Sequence, residues 1–121
     1  MYEVEADPAR NLLLMTYREH VGPAELAQGR AQVTVALEAL QPGFRLLTDL
    51  SGLDSMEYAC APEIEATMDL LRKKGVAEVV RVVPDSRKDI GFAVMSHFHY
   101  DRKTLVLTFD SRAEALEKLS A

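Results

Sequence analysis

The segment Asp49-Leu-Ser-Gly-Leu-Asp-Ser55 gathers two carboxylates, two hydroxyls and a glycine within seven residues. Serines in such a setting can accept phosphate, because free backbone N–H groups and the dipole at a helix start favour an anion. Asp and Ser also cap helices routinely, so a purely structural role stands beside the chemical one. A second group, His97-Phe-His-Tyr-Asp101, alternates two imidazoles with a carboxylate, and in an extended chain these would converge on a metal. In a helix they diverge, and His97 and His99 then act as cations near its negative pole. Cys60, the single cysteine, has no local base to activate it and reads as a buried structural thiol. Leu50-Ser51-Gly52 lacks the first glycine of a nucleophile elbow, and no G-x-x-x-x-G-K or G-x-G-x-x-G spacing occurs. Acyl transfer and nucleotide-loop chemistry are therefore disfavoured.

These residues must be positioned by the elements around them. Tyr2-Glu-Val-Glu-Ala6 alternates apolar with acidic, the period of an edge strand with one wet face. Asp7-Pro8-Ala9-Arg10-Asn11 supplies turn chemistry, and Leu12–Tyr17 reads as a more buried strand paired to the first as a hairpin. Gly22-Pro23 opens a helix in which Leu26, Arg30, Val33, Leu37 and Leu40 share a face, ended by Pro42-Gly43. Phe44–Leu50 suits a central strand that runs out into a loop at Ser51-Gly52, so that Asp49 lies at its carboxyl end. From Pro62 the residues Ile64, Met68 and Leu71 share a face, and Arg72-Lys-Lys74 before Gly75 marks a helix end. Met56–Cys60 fits either loop or helix, since Pro62 argues for a break while the apolar spacing continues across it.

Glu78–Val83 is the most β-branched stretch and suits a strand covered on both faces. Ser86 and Asp89 resemble an N-cap pair before Ile90, Val94 and Phe98, a third helix weakened by Gly91. Thr104–Phe109 forms a fifth strand, and Ser111-x-x-Glu114 is a capping box before a last short helix with Leu116 and Leu119 turned inward. The order is ββαβαβαβα. Crossover units of this length are right-handed, which predicts an α/β fold with a mixed, mainly parallel five-stranded sheet, about four helices and an antiparallel first strand.

Composition narrows the function classes. A chain of 121 residues is expected to form one domain, 1–121. Fourteen Lys and Arg against nineteen Asp and Glu give a net charge of −5, without the basic stripe that nucleic acid or anionic lipid requires. Apolar runs such as Leu12–Met15 and Phe92–Met95 reach four residues, far short of the roughly 20 a membrane-spanning helix needs. One cysteine and no basic-then-apolar leader point to the cytoplasm.

The element order, together with Phe44-Arg-Leu-Leu-Thr-Asp-Leu-Ser-Gly-Leu53, Leu70–Gly75, Val83-Pro-Asp85 and Phe109–Leu116, resembles the SpoIIAA-like family of STAS-type domains. The resemblance implies a non-enzymatic bacterial domain without cofactor or metal. STAS domains act in anti-anti-sigma regulation and in transporter tails, and this branch is also associated with Sec14-type lipid-binding folds. In the sporulation regulators that name the family, a serine at the start of the second helix accepts a phosphate, and Asp54-Ser55 resembles that pair. Here Met56-Glu57 stands where the family has a small Ser-Gly continuation, so a phosphate on Ser55 would face Asp54 and Glu57.

Three functions compete. The first is a regulatory interaction domain that meets a protein partner, or its own copy in a homodimer, through the Asp49, Ser51, Asp54 and Ser55 segment and the second helix. The second is a carrier or sensor of a small apolar, lipid-like ligand held between the second and third helices by Met56, Tyr58, Met68, Met95 and Phe98. An enzyme combining Asp49 and Asp54 with His97 or His99 ranks lowest, because it needs groups from separate elements within hydrogen-bond reach.

Overall fold

The computed structural model describes residues 1–83, 89–90 and 103–120. Strand β1 (Tyr2–Asp7) pairs antiparallel with β2 (Leu12–Val21) in an unbroken register from Tyr2 opposite Tyr17 to Asp7 opposite Leu12. A single 3-10 turn at Pro8–Arg10 joins them, closed by Asn11 in the left-handed region at φ 48°. The Asn11 side chain then donates to the Gln41 carbonyl at 3.2 Å and accepts from the Gln41 N–H at 2.8 Å, tying this hairpin to the end of the first helix.

Helix α1 (Pro23–Glu38) is followed by β3 (Arg45–Met56), α2 (Ala61–Lys74), β4 (Glu78–Val82), the two-residue β5 (Asp89–Ile90), β6 (Leu105–Phe109) and α3 (Arg112–Ser120). The sheet runs β1-β2-β3-β4-β6, with β5 pairing the far end of β3. All pairings except that of β1 with β2 are parallel, as the crossover lengths predict. The mixed, mainly parallel α/β arrangement expected from the element order is present, with three α-helices among the described residues.

Alternation along the strands divides the core in two. On one face Leu13, Met15, Tyr17, Leu46, Leu50 and Val79 pack under α1 and α2, which contribute Leu26, Val33, Ile64, Met68 and Leu71. Here α1 approaches β1 so closely that a Cβ on Gly29 would lie 2.3 Å from the Tyr2 ring, which itself packs tilted against Tyr17 with centroids 4.9 Å apart. On the other face Leu12, Leu47, Val80 and Val82 meet Ala115 and Leu119 of α3. The valine strand is thus covered on both sides, as its composition implies.

Helix ends follow their chemistry. Pro23 and Pro62 sit in first turns, where the missing N–H has no intrahelical role. Gly75 closes α2 at φ 96°, its N–H reaching the Arg72 and Leu71 carbonyls. Ser111 caps the last helix as expected, its Oγ accepting from the Glu114 N–H at 3.2 Å.

Two expectations change. The stretch Asp49–Ser55 is not a loop: β3 continues to Met56, because β2 also extends, to Val21, and offers it a partner. Two register shifts, between Thr16 and Arg18 and between Glu19 and His20, each place an extra residue in β3. They explain why the buried positions there are Leu50, Leu53 and Met56 rather than alternate residues. Ser55 therefore lies on a strand, not at a helix start, and the ambiguous Met56–Cys60 resolves into the strand's last residue followed by a 3-10 turn, Tyr58–Cys60. Second, Asp89–Ile90 is a strand pairing Ser55 and Met56, where a helix was expected, since the open end of β3 provides a ladder for it. The remainder of that expected helix, with His97, His99, Met95 and Phe98, falls outside the described residues.

Candidate functional site

The bulged ends of β2 and β3 assemble two polar groups. In the first, buried Asp49 accepts at Oδ1 from the Ser51 N–H (2.9 Å) and the Ser51 hydroxyl (2.6 Å). Its Oδ2 accepts from Arg112 Nη1 at 2.7 Å, and the same nitrogen reaches Thr16 Oγ1 at 3.4 Å. Burial pushes the Asp49 carboxyl up, but the Ser51 hydroxyl, the Arg112 guanidinium and the Ser51 amide together hold it below its ordinary value. The Asp49 carboxylate thereby clamps the start of α3 to the sheet. Ser51 spends its hydroxyl proton on the same carboxylate.

In the second group, at the strand ends, His20 Nδ1 lies 2.7 Å from Ser55 Oγ. His20 Nε2 faces Glu57 Oε2 at 3.9 Å, and both of these side chains are more than half exposed. Tyr58 follows on the 3-10 turn and is 64% exposed, a large aromatic offered to solvent. The series Ser55–His20–Glu57 orders the hydroxyl and places an imidazole beside it. Asp54, one residue before, is exposed.

The candidate pocket residues part company. Met56 and Met68 belong to the core under α1 and α2, whereas Tyr58 points to solvent. Cys60 is fully buried and its thiol donates to the Val21 carbonyl at 3.4 Å. Burial, reinforced by the carboxylates of Glu57, Glu63 and Glu25, pushes that thiol up, so it stays protonated and unreactive. Among the described residues no three His, Cys, Asp or Glu side chains gather as a metal would need, and no helix is long and apolar enough to cross a membrane.

Sequence reasoning singled out Asp49, Ser51 and Ser55 but missed His20 and Arg112, which lie 35 and 63 residues from their partners. Arg112 did leave a signal. A cation at the first residue of a helix opposes the dipole, and so implies a carboxylate brought from elsewhere.

No known family profile matches the chain, and no curated protein sequence matches it. Solved structures do. The anti-sigma factor antagonist SpoIIAA in its unphosphorylated form superposes with a TM-score of 0.66 at 12% identity, over 100% of this chain and 99% of that one. An uncharacterised DUF3478-family protein with a SpoIIAA-like fold from Shewanella loihica PV-4 gives 0.64 at 17% identity, over 98% and 92%. A Thermotoga maritima protein provisionally described as an anti-sigma factor antagonist gives 0.61 at 15% identity, over 100% and 96%. The chain has the SpoIIAA-like, STAS-type fold.

Proposed function

We propose that this protein is a non-enzymatic regulatory domain of the bacterial cytoplasm that works by contacting another protein, with Ser55 as its switch. The observation that carries this reading is the 2.7 Å contact of Ser55 Oγ with His20 at an exposed strand end, beside Glu57 and the solvent-facing Tyr58. The fold shared with an anti-sigma factor antagonist described in an unphosphorylated form supports it. A phosphoryl group on Ser55 takes the place of the hydroxyl proton, adds a charge of about −2 beside the His20 ring, and sets that charge against Glu57. Tyr58, two residues beyond Met56, is the exposed aromatic that a partner meets beside that added charge. Both Asp49 oxygens are engaged by Ser51 and Arg112, which favours a structural role for this carboxylate over that of a general base.

Native mass spectrometry of the protein from its own host, compared with the same sample denatured, tests this. The expected result is a phosphoryl increment that survives denaturation, vanishes in Ser55→Ala, and accompanies a change in the amount of protein complex, whether with another chain or a second copy. A non-covalent small molecule lost on denaturation, with no covalent increment on Ser55, would replace this function by the apolar carrier.

A further inference from the structure

We propose that the outer edge of β1 docks an extended segment of a partner protein in which basic residues alternate with small or β-branched apolar ones, a surface separate from the Ser55 switch. β1 ends the sheet, and among the described residues β2 is its sole strand partner. An edge strand presents a row of backbone donors and acceptors to the next strand, and natural proteins blunt such edges with charged side chains, lysine above all, with proline or with bulges; on β1 the charges are the carboxylates of Glu3 and Glu5, which repel a second copy but attract a basic strand. Between Tyr2 and Asp7 there is no lysine and no proline, and the ladder to β2 has no shift.

The two sides of this edge differ in chemistry. On the α1 side an open apolar groove of about 610 Å³ runs along it, walled by Val4, Ala6, Ala31, Val35, Ala36 and Ala39. Val35 is 66% exposed there, although the other large apolar residues of its helix, Leu26, Val33 and Leu37, are buried. On the opposite side stand Glu3 and Glu5, both exposed, above a polar hollow of about 400 Å³. Glu3 shares its charge with Arg18 at 3.5 Å, which leaves Glu5 the stronger anchor.

An added strand continues the two-residue alternation of its neighbour. Residues opposite Val4 and Ala6 enter the groove, and residues opposite Glu3 and Glu5 meet carboxylates, so the occupant alternates apolar with basic. A second copy of β1 is the wrong occupant. In the antiparallel self-pairings that keep the helices of both copies on one side and overlap at least three residues, Glu3 faces Glu5, or Glu5 faces itself while Glu3 faces Asp7, or Glu3 faces itself, or Glu5 faces Asp7. Like charges directly opposite disfavour every one of these registers.

Titration of the full chain with a capped peptide of about eight residues, the length of an ordinary strand, alternating Lys with Val, tests the proposal by amide NMR. Shifts confined to Tyr2–Asp7 and the groove side of α1 are expected, with binding that weakens as salt is added. N-methylation of every second peptide amide, which removes the ladder donors, is expected to abolish binding. In the exposed double variant Glu3→Lys, Glu5→Lys the affinity should fall about tenfold and a Glu-Val peptide should become the better ligand. Equal binding of the N-methylated peptide, indifference to the charge reversal, or shifts away from β1 would each overturn it. So would a concentration-dependent dimer of the unliganded chain that protects the β1 amides.

Discussion

The two faces of the sheet are built on different physics. Under α1 and α2 lies a continuous apolar core that reaches from Tyr2 in β1 to Val79 in β4 and includes the fully buried Phe44, Leu46 and Ile64. Under α3 the apolar patch is small, with Leu12, Leu47, Val80, Val82, Ala115 and Leu119 at its centre, and polar contacts do part of the holding. Arg112 binds Asp49, Lys118 reaches Glu78 at 3.4 Å, and Arg45 donates to the Leu119 carbonyl at 3.4 Å. The contrast separates what keeps the chain folded from what can be adjusted. Apolar burial scales with area and carries no charge to titrate or screen, whereas the ion pairs of α3 are screened by salt and the Asp49 pair is lost in acid.

The sharpest break is a pair of truncations. Phe44→Ala, within the larger core, should cost about 3–5 kcal/mol in denaturant unfolding, whereas Leu119→Ala under α3 should cost about 2 kcal/mol. Equal losses would mean that the two faces contribute alike.

A smaller effect sharpens the contrast through pH. Arg112→Met leaves the Asp49 carboxylate buried without its cation, and should cost about 1–2 kcal/mol at neutral pH, less than a fully buried pair because Arg112 is partly exposed. The Asp49 carboxyl is held below its ordinary value of 3.8 in the folded state. The unfolded chain therefore takes up that proton first as the pH falls. The stability Asp49 contributes is complete above about pH 4 and is lost as pH drops through its folded value. Thermal unfolding of Arg112→Met and of the parent should accordingly converge in acid. A gap that widens there would show that Arg112 does not act through Asp49.

Least of all should come from the strand ends. Ser55→Ala and His20→Ala remove a hydrogen bond between partly exposed groups, and each should change stability by no more than about 0.5 kcal/mol in the same assay. A loss of several kcal/mol would make this pair a structural element and not a switch.

Much of the frame is legible locally. The Ile64, Met68 and Leu71 face between Pro62 and Gly75 has one solution, a capped helix, because period, proline and αL glycine agree. The valines of β4 need cover on both sides, and receive it. The length of β3 is different. Ser51-Gly52 has turn composition, and nothing nearby says that β2 runs on to Val21 to pair with the residues beyond that glycine. Asp49 and Ser55 likewise stand out by residue type alone, while their partners arrive from distant parts of the chain.

The linear chain determined the order of elements, the parallel crossovers and the edge position of β1, because hydrophobic period, caps and turn residues act within a few residues of one another. Only the tertiary structure decided that Asp49 is a clamp, that Ser55 meets His20 on a bulged strand, and that α1 leaves a groove beside β1. Those depend on register between strands and on which helix covers which face, and such long-range pairings are set by the packing of the whole sheet rather than by any local stretch.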